Sequence, residues 1–421
     1  MELWSWSAEM ELDLIVKGIL FVCLFLIALC AIEHHFRNSR LPYVSWMVLF
    51  GIGYGVLNQT VLPILPDIKL TPDVVLYIFL PVLIFDSSRK LDLHTARKEG
   101  VASFLLASVG IVVSMFVMAV PLHFITKLPW MDVLFFSAIM SATDPVAVTS
   151  IFNHFSVPKR LRTLIEEESL INDGTTIILF MLISGKVLEN KTILLDQSIL
   201  YFALSIVAAV FLGLVMGWIG AFLVRWWKAL DGHFIGSLLP LLMVYITFII
   251  AQSILEISGV ISVMSASITM KFLYQRFRPA EIPAKSDIAF YAGFWDFFAE
   301  LANALLFFIL GVEISIYYRE INWWNLMPGV IASLLLARSV VVYGSSLFFR
   351  FIKIRIPLSW QHVLNLGGLR GALSVALILM IPEKYQYRNV FICAALTLSL
   401  FTLIVNPLVL RLYLKNTKLE E

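Results

Sequence analysis

FFSAIMSATDPVAVTSIF, residues 135–152, is an apolar run with an aspartate in its middle. Asp144 stands there between Thr143 and Pro145. Proline removes a backbone donor and clashes with the carbonyl four residues back, so the helix is predicted to break beside Asp144. A charged group at mid-bilayer costs roughly 3 kcal/mol on insertion scales, and residues that bear this cost are usually functional. A broken helix at that depth exposes carbonyls and half-helix ends that can coordinate ions. The structural alternative is a proline kink with a satisfied aspartate. The neighbouring Thr and Ser weigh against it.

Working outward, the rest of the chain supports a lipid environment. Of 421 residues, 60% are hydrophobic and 14% charged, whereas a soluble domain carries about a quarter charged residues. The mean hydropathy is +0.89. Thirteen apolar segments are long enough to cross a bilayer: 12–32, 42–62, 72–87, 100–124, 130–152, 163–185, 194–224, 234–254, 257–272, 287–312, 323–347, 358–381 and 388–412. The third and ninth are short. The acidic N-terminus MELWSWSAEMELD lacks the basic region of a signal peptide, so the first segment is expected to remain as a span. About ten residues follow the last segment, too few for a sizeable tail. With the N-terminus outside, the inner segments hold 21 of the 31 Lys and Arg and the outer ones seven, which sets an N-out, C-in orientation in a cell membrane. A net charge of +2 gives no reason to expect nucleic-acid binding. Gly51-x-x-x-Gly55 and Gly213-x-x-x-Gly217 read as close helix contacts.

The next span, RTLIEEESLINDGTTIILF (162–180), carries more acid than lipid should allow. At 1.5 Å per residue, Asp173 lies roughly 16 Å from Arg162, near the midplane. Ser169 and Asp173 share a helix face, as do Glu168 and Asn172. The patch thus offers a hydroxyl, an amide and two carboxylates, hard oxygen ligands suited to a small cation. A polar packing seam is the structural alternative, and two acids at this depth argue against it. Glu166 and Glu167, nearer the inner mouth, read as a solvated face or a cation funnel.

Arg338 lies alone in PGVIASLLLARSVVVYGSSLFF (328–349), too deep to snorkel and unable to deprotonate. Its depth matches that of Glu168, which predicts a Glu168–Arg338 ion pair acting as a strut. In VLNLGGLRGALSVALIL (363–379), Gly367, Gly368 and Gly371 surround Arg370 and weaken the helix. This span is the twelfth and the Asp144 span the fifth. The odd offset places two interrupted helices in opposite orientations, the pattern of an inverted-repeat transporter with a midplane site. Pro145, Gly367, Gly368 and Arg370 mark the two breaks.

Other polar residues divide less sharply. Asp86, in FLPVLIFDSSRKLD (79–92), reads equally as part of an ion pathway or as a helix-end acid beside Arg89 and Lys90. Glu300, one turn from Asp296 in FWDFFAELANALLFFILG (294–311), is functional or paired with a residue in another span. The seven histidines lie mostly at span ends. Cys23, Cys30 and Cys393 form no metal or disulfide pattern. No HExxH, Ser–His–Asp spacing or Walker A loop is present, so catalytic residues and cofactors are not expected.

TDP at 143–145, ESLIND at 168–173, FW…N…LF…G at 294–311 and GGLRGALS at 367–374 resemble the monovalent cation/proton antiporters of the NhaP/NHE type, from about residue 40 onward. The resemblance implies an all-α membrane protein of about thirteen transmembrane helices. Inverted repeats and two broken helices crossing at mid-membrane come with it, as do a homodimer and elevator-like alternating access. It implies a single exchanger domain over 1–421, with ion-transport helices at roughly 72–185 and 287–412 and dimerisation or scaffold helices from the remainder. Residue by residue, Asp173 resembles the aspartate that takes Na⁺ or H⁺. Thr143, Asp144 and Ser169 resemble its surrounding ligands, and Asn172 the asparagine of the pair. Glu168 and Arg338 resemble a bracing ion pair. Asp86 stands where relatives often carry Glu in an FEG-like stretch.

The function expected is exchange of Na⁺ or Li⁺ for H⁺. Burial favours the neutral form of a carboxyl and a bound cation the ionised form, so competition for one group couples two fluxes. With Asn172 in place of a second aspartate, one Na⁺ replaces one H⁺ and exchange is electroneutral. K⁺/H⁺ exchange at the same site is the alternative, followed by a cation channel or a transporter of organic substrates.

Overall fold

The computed structural model describes residues 16, 18, 22–36, 39–60, 72–188, 195–226, 233–276, 285–317, 326–351, 355–417 and 419. Each of the thirteen apolar segments carries helix, and no strand occurs among the described residues. Arg37, Lys69, Lys191, Lys228, Arg278, Arg319, Lys353 and Lys418, which contribute to the loop-charge bias, lie outside them.

The chain opens with α1 (Val22–Phe36) and α2 (Tyr43–Thr60). A π-helical turn, Val75–Phe79, then leads into α3 (Leu80–Lys90), with the Leu80 amide bonding back to Val75 O. Pro81 has no amide to continue the α pattern, which is why the turn widens there. α4 (Leu93–Ala107) and α5 (Val109–Thr126) meet at Ser108 and together fill the fourth apolar segment. The fifth segment divides into α6 (Trp130–Ile139) and α7 (Val146–Phe152), with residues 140–145 outside any helix. The helix therefore stops where Pro145 predicts.

Then follow α8 (Lys159–Val187), α9 (Leu195–Trp226), α10 (His233–Ile249), α11 (Gly259–Arg276), α12 (Lys285–Tyr317) and α13 (Met327–Phe351). The twelfth segment is again two pieces, α14 (Leu358–Leu366) and α15 (Ala372–Leu379), separated by the glycine-rich residues 367–371. α16 (Arg388–Asn416) closes the fold. Seven helical stretches among the described residues are long and apolar enough to cross a bilayer unaided. The divided segments reach that length only as pairs of half-helices.

Both small-residue motifs serve close packing. A Cβ on Gly51 would overlap the Phe308 backbone, and one on Gly311 the Val48 backbone, so α2 and α12 touch main chain to main chain. Gly213 and Gly217 bring α9 equally close to α11, against Ser262 and Ala266. α12, expected among the ion-transport helices, packs main chain to main chain against α2. The buried Trp295 ring of α12 also lies 4.3 Å from the Phe85 ring of α3.

Candidate functional site

The two breaks meet. The Asp144 amide donates to Leu369 O at 2.9 Å, so the unwound residues of one broken helix bond to those of the other. Arg370 is 1% exposed, and its Nη1 donates to Ser141 O at 3.1 Å and Ala142 O at 2.6 Å. Those carbonyls lie just past the end of α6, where helical partners are lost. A fixed cation is well placed at such an end, where the helix dipole is negative. The Arg370 amide donates to Thr402 Oγ1 on α16, and Ser374 Oγ to Ile139 O. Sequence reading treated Arg370 as a mark of helix weakening. In the fold it holds the partner break together.

α8 passes beside this crossing. Asn172, fully buried, uses both ends of its amide on one residue: Oδ1 accepts from the Thr143 amide at 3.3 Å and Nδ2 donates to Thr143 Oγ1 at 2.5 Å. Ser169 Oγ donates to Thr143 O at 2.5 Å. Asn172 and Ser169 therefore clamp the unwound Thr143 to α8. Asp144 Oδ1 accepts from the Val146 amide at 2.9 Å, an Asx turn that starts α7. Its Oδ2 faces Gly371, where an added Cβ would stand 2.6 Å from Asp144 Cβ and 2.8 Å from Cγ. The Asp173 carboxyl makes no hydrogen bond to any described residue. It lines a cavity of about 90 Å³ together with Asp86, Thr143, Asp144, Ser169, Asn303 and Gly371.

Glu168 and Arg338 form a fork, with Nη1 to Oε1 at 2.5 Å and Nη2 to Oε2 at 2.9 Å. The pair is buried, 3% and 8% exposed. Arg338 Nη2 also donates to Leu364 O at 2.9 Å, so the pair ties α8 and α13 to the half-helix α14. Gly368 leaves room for the guanidinium, since a Cβ there would lie 2.8 Å from Arg338 Nε. Gly367 ends α14, its amide donating to Val363 O.

Asp86 borders the cavity, but its carboxylate is taken. Oδ1 accepts from Arg89 at 2.6 Å and Oδ2 from Lys90 at 2.7 Å. Both cations also reach Asp296 on α12, at 2.7 and 2.9 Å. Of the two readings open for Asp86, the geometry shows the acid beside Arg89 and Lys90, one member of a four-residue ion cluster joining α3 to α12. Glu167, read from sequence as a solvated face or funnel, is 7% exposed and accepts from Ser103 Oγ at 2.6 Å. Glu300 faces a second cavity of about 570 Å³ with Glu33, Arg40, Tyr43, His154 and Arg411. Asn303, the amide of the FW…N…LF…G motif at 294–311, received no ligand role from sequence.

Opposed, interrupted helices joined through their unwound residues around a carboxylate pair define an ion-carrying membrane transporter. The model for the transmembrane sodium/hydrogen exchangers matches residues 24–416, and the chain belongs to that family. It is 29% identical over 385 residues to the low-affinity Na⁺/H⁺ antiporter NhaS1 of Synechocystis sp., covering 90% of this chain and 70% of that protein. It is 30% identical over 382 residues to the Na⁺/H⁺ antiporter NhaH of Halobacillus dabanensis, covering 88% and 90%. Its fold is similar to that of the sodium proton antiporter MjNhaP1 from Methanocaldococcus jannaschii, with a TM-score of 0.71 at 18% identity over 94% of this chain and 96% of that one.

Proposed function

We propose that the chain exchanges Na⁺ or Li⁺ for H⁺ across the membrane, with Asp173 taking either the cation or the proton. The carrying observation is the Asp173 carboxyl, which makes no hydrogen bond to any described residue and lines a cavity with Asp144. A carboxylate left without donors has its oxygens available to a proton or to a hard cation. Asp144 Oδ2 and the Ser169 and Thr143 oxygens complete the cation's ligands, since each keeps lone pairs after the hydrogen bonds above. Asn172 clamps Thr143 rather than binding the ion. Asp86 is not counted as a ligand, because its charge is already balanced by Arg89 and Lys90. Glu168 and Arg338 brace α14. One carboxyl carrying one proton or one monovalent cation makes the exchange electroneutral.

This reading includes an N-out, C-in orientation, supported by the Lys and Arg bias, and the homodimer and alternating access implied by the family resemblance. Light scattering of the purified protein in detergent checks the dimer.

Proteoliposomes with a pH gradient and a clamped potential test the function. Na⁺ and Li⁺ are expected to drive proton movement that is unchanged by the potential, since a net charge would feel about 2.3 kcal/mol per 100 mV. K⁺ as the preferred ion would replace the Na⁺ reading, and current without coupled proton movement would overturn exchange altogether. Gly371→Ala is expected to slow exchange by about tenfold or more. Its Cβ would displace Asp144, and overpacking costs ~1–3 kcal/mol where each 1.4 kcal/mol is tenfold. Rates within twofold of wild type would detach Asp144 from the transported ion.

A further inference from the structure

We infer that Asn303 on α12 is a specificity-determining ligand, supplying an amide oxygen to the cation from the part of the cavity wall that α12 forms. The inference rests on the exchange reading and extends it to a residue outside the four ligands above.

Asn303, Leu306 and Phe307 fall on one face of α12 and all line the 90 Å³ cavity that holds Asp144 and Asp173. Of the polar side chains there, most are committed. Asp86 is held by Arg89 and Lys90 and Ser374 by Ile139 O, and Thr143, Asp144 and Ser169 already count among the ligands. The side chains of Asp173, Ser87 and Asn303 make no hydrogen bond to any described residue. The serine is simply explained, because a helical hydroxyl can turn back to a carbonyl of the preceding turn. An amide in the middle of a helix has no such recourse. It brings one acceptor and two donors into an apolar run, and the half-buried amide finds no protein partner there, so both ends stay available to what enters the cavity. Ala299, Ala302 and Ala304 around it are buried and apolar, and Glu300, one turn away, lines the other cavity.

The chemistry of the amide suits both states of the site. Its NH₂ group can donate to an ionised carboxylate, and its Oδ1 can ligate a hard cation. α6–α7 and α8 bring charge to the ion, whereas α12 brings a neutral oxygen. A neutral ligand tunes which cation fits without changing the charge of the loaded site, so one-for-one exchange is kept.

The test measures cation-driven proton flux in proteoliposomes for wild type, Asn303→Leu and Asn303→Gln, with Na⁺, Li⁺ and K⁺ titrated separately. Leu keeps the bulk and removes the oxygen. It is expected to raise the apparent KM for Na⁺ about tenfold and to change the Na⁺/Li⁺ preference. The rate at saturating Na⁺ should stay within about twofold, the split expected when ground-state binding alone is lost. A merely structural amide would lower the maximal rate and leave the preference between ions alone. Asn303→Leu with the wild-type KM and Na⁺/Li⁺ ratio overturns the inference. If that variant does not elute as a folded species, Asn303→Gln carries the test, because it keeps the amide and displaces the oxygen by one methylene. The same KM and ratio in Gln then overturn the inference. Wild type without cation-driven proton flux overturns the exchange reading and this inference with it, whereas an active wild type with an unchanged variant overturns this inference alone.

Discussion

Asp173→Asn is expected to reduce cation-driven proton flux to the level of empty liposomes. The substitution keeps the shape of the side chain and removes both of its functions. An amide cannot carry a proton across, and it cannot balance a monovalent cation taken out of water. An uncompensated charge in such a site costs several kcal/mol, which at 1.4 kcal/mol per tenfold is a loss of about 100-fold or more in apparent affinity. The fold should survive, because the Asp173 carboxyl makes no hydrogen bond to any described residue whose loss would weaken packing. Asp173→Asn should therefore elute and melt like wild type while transporting nothing, and removing an ionisable group from the cavity should if anything raise its melting temperature. Transport by Asp173→Asn equal to wild type would remove Asp173 from the mechanism. A second expectation concerns competition: lowering the pH on the side of cation entry should raise the apparent KM for Na⁺ without changing the maximal rate, since proton and cation contend for one carboxyl.

Glu168→Gln and Arg338→Leu are expected to destabilise the protein by about 3–5 kcal/mol each, the cost of leaving one member of a buried pair uncompensated. Arg338 also loses its bond to Leu364 O, so α14 is freed at its C-terminal end. Glu168→Met with Arg338→Leu removes both charges together and should recover much of the loss, because an apolar pair needs no compensation in a buried site. The measurement is thermal unfolding of the purified protein in detergent, analysed as a double-mutant cycle. Single variants that melt with wild type would show that the pair is not a strut. Transport by the double variant would separate bracing from ion binding, whereas the Asp173 variant should fold and stay silent.

Arg370 and Arg338 show how two buried arginines in one site solve different problems. Arg338 meets a carboxylate two oxygens to two nitrogens, the arrangement in which guanidinium and carboxylate bind best. Arg370 has no carboxylate within ion-pair distance among the described residues and instead satisfies carbonyls freed by a helix break. Its charge thereby stands beside a cavity with three acids, and it keeps that cavity from being a simple negative well. The position of Gly371 between Arg370 and Asp144 then reads as space for a carboxylate rather than as helix weakness alone.

The sequence by itself determined where the helices break and that Glu168 and Arg338 pair. Each follows from a local cost: Pro145 cannot donate, clustered glycines do not hold a helix, and an ionised group in lipid must find its opposite at the same depth. The tertiary structure decided what those residues meet. Asp86 was evenly balanced because its nearest neighbours in sequence suited either role. Asp296, two hundred residues away on α12, completes the ion cluster that engages it. Asn172 offered an amide whose partner the sequence could not name, and the fold set both of its ends on Thr143. Glu167 looked solvated until Ser103 on α4 covered it. Asn303 was one polar letter in an apolar run until the packing of α12 turned it into the cavity of Asp173. The depth of a residue follows from counting along its own helix, whereas the face it shows a neighbour depends on how separate helices rotate and pack, and no single segment carries that information.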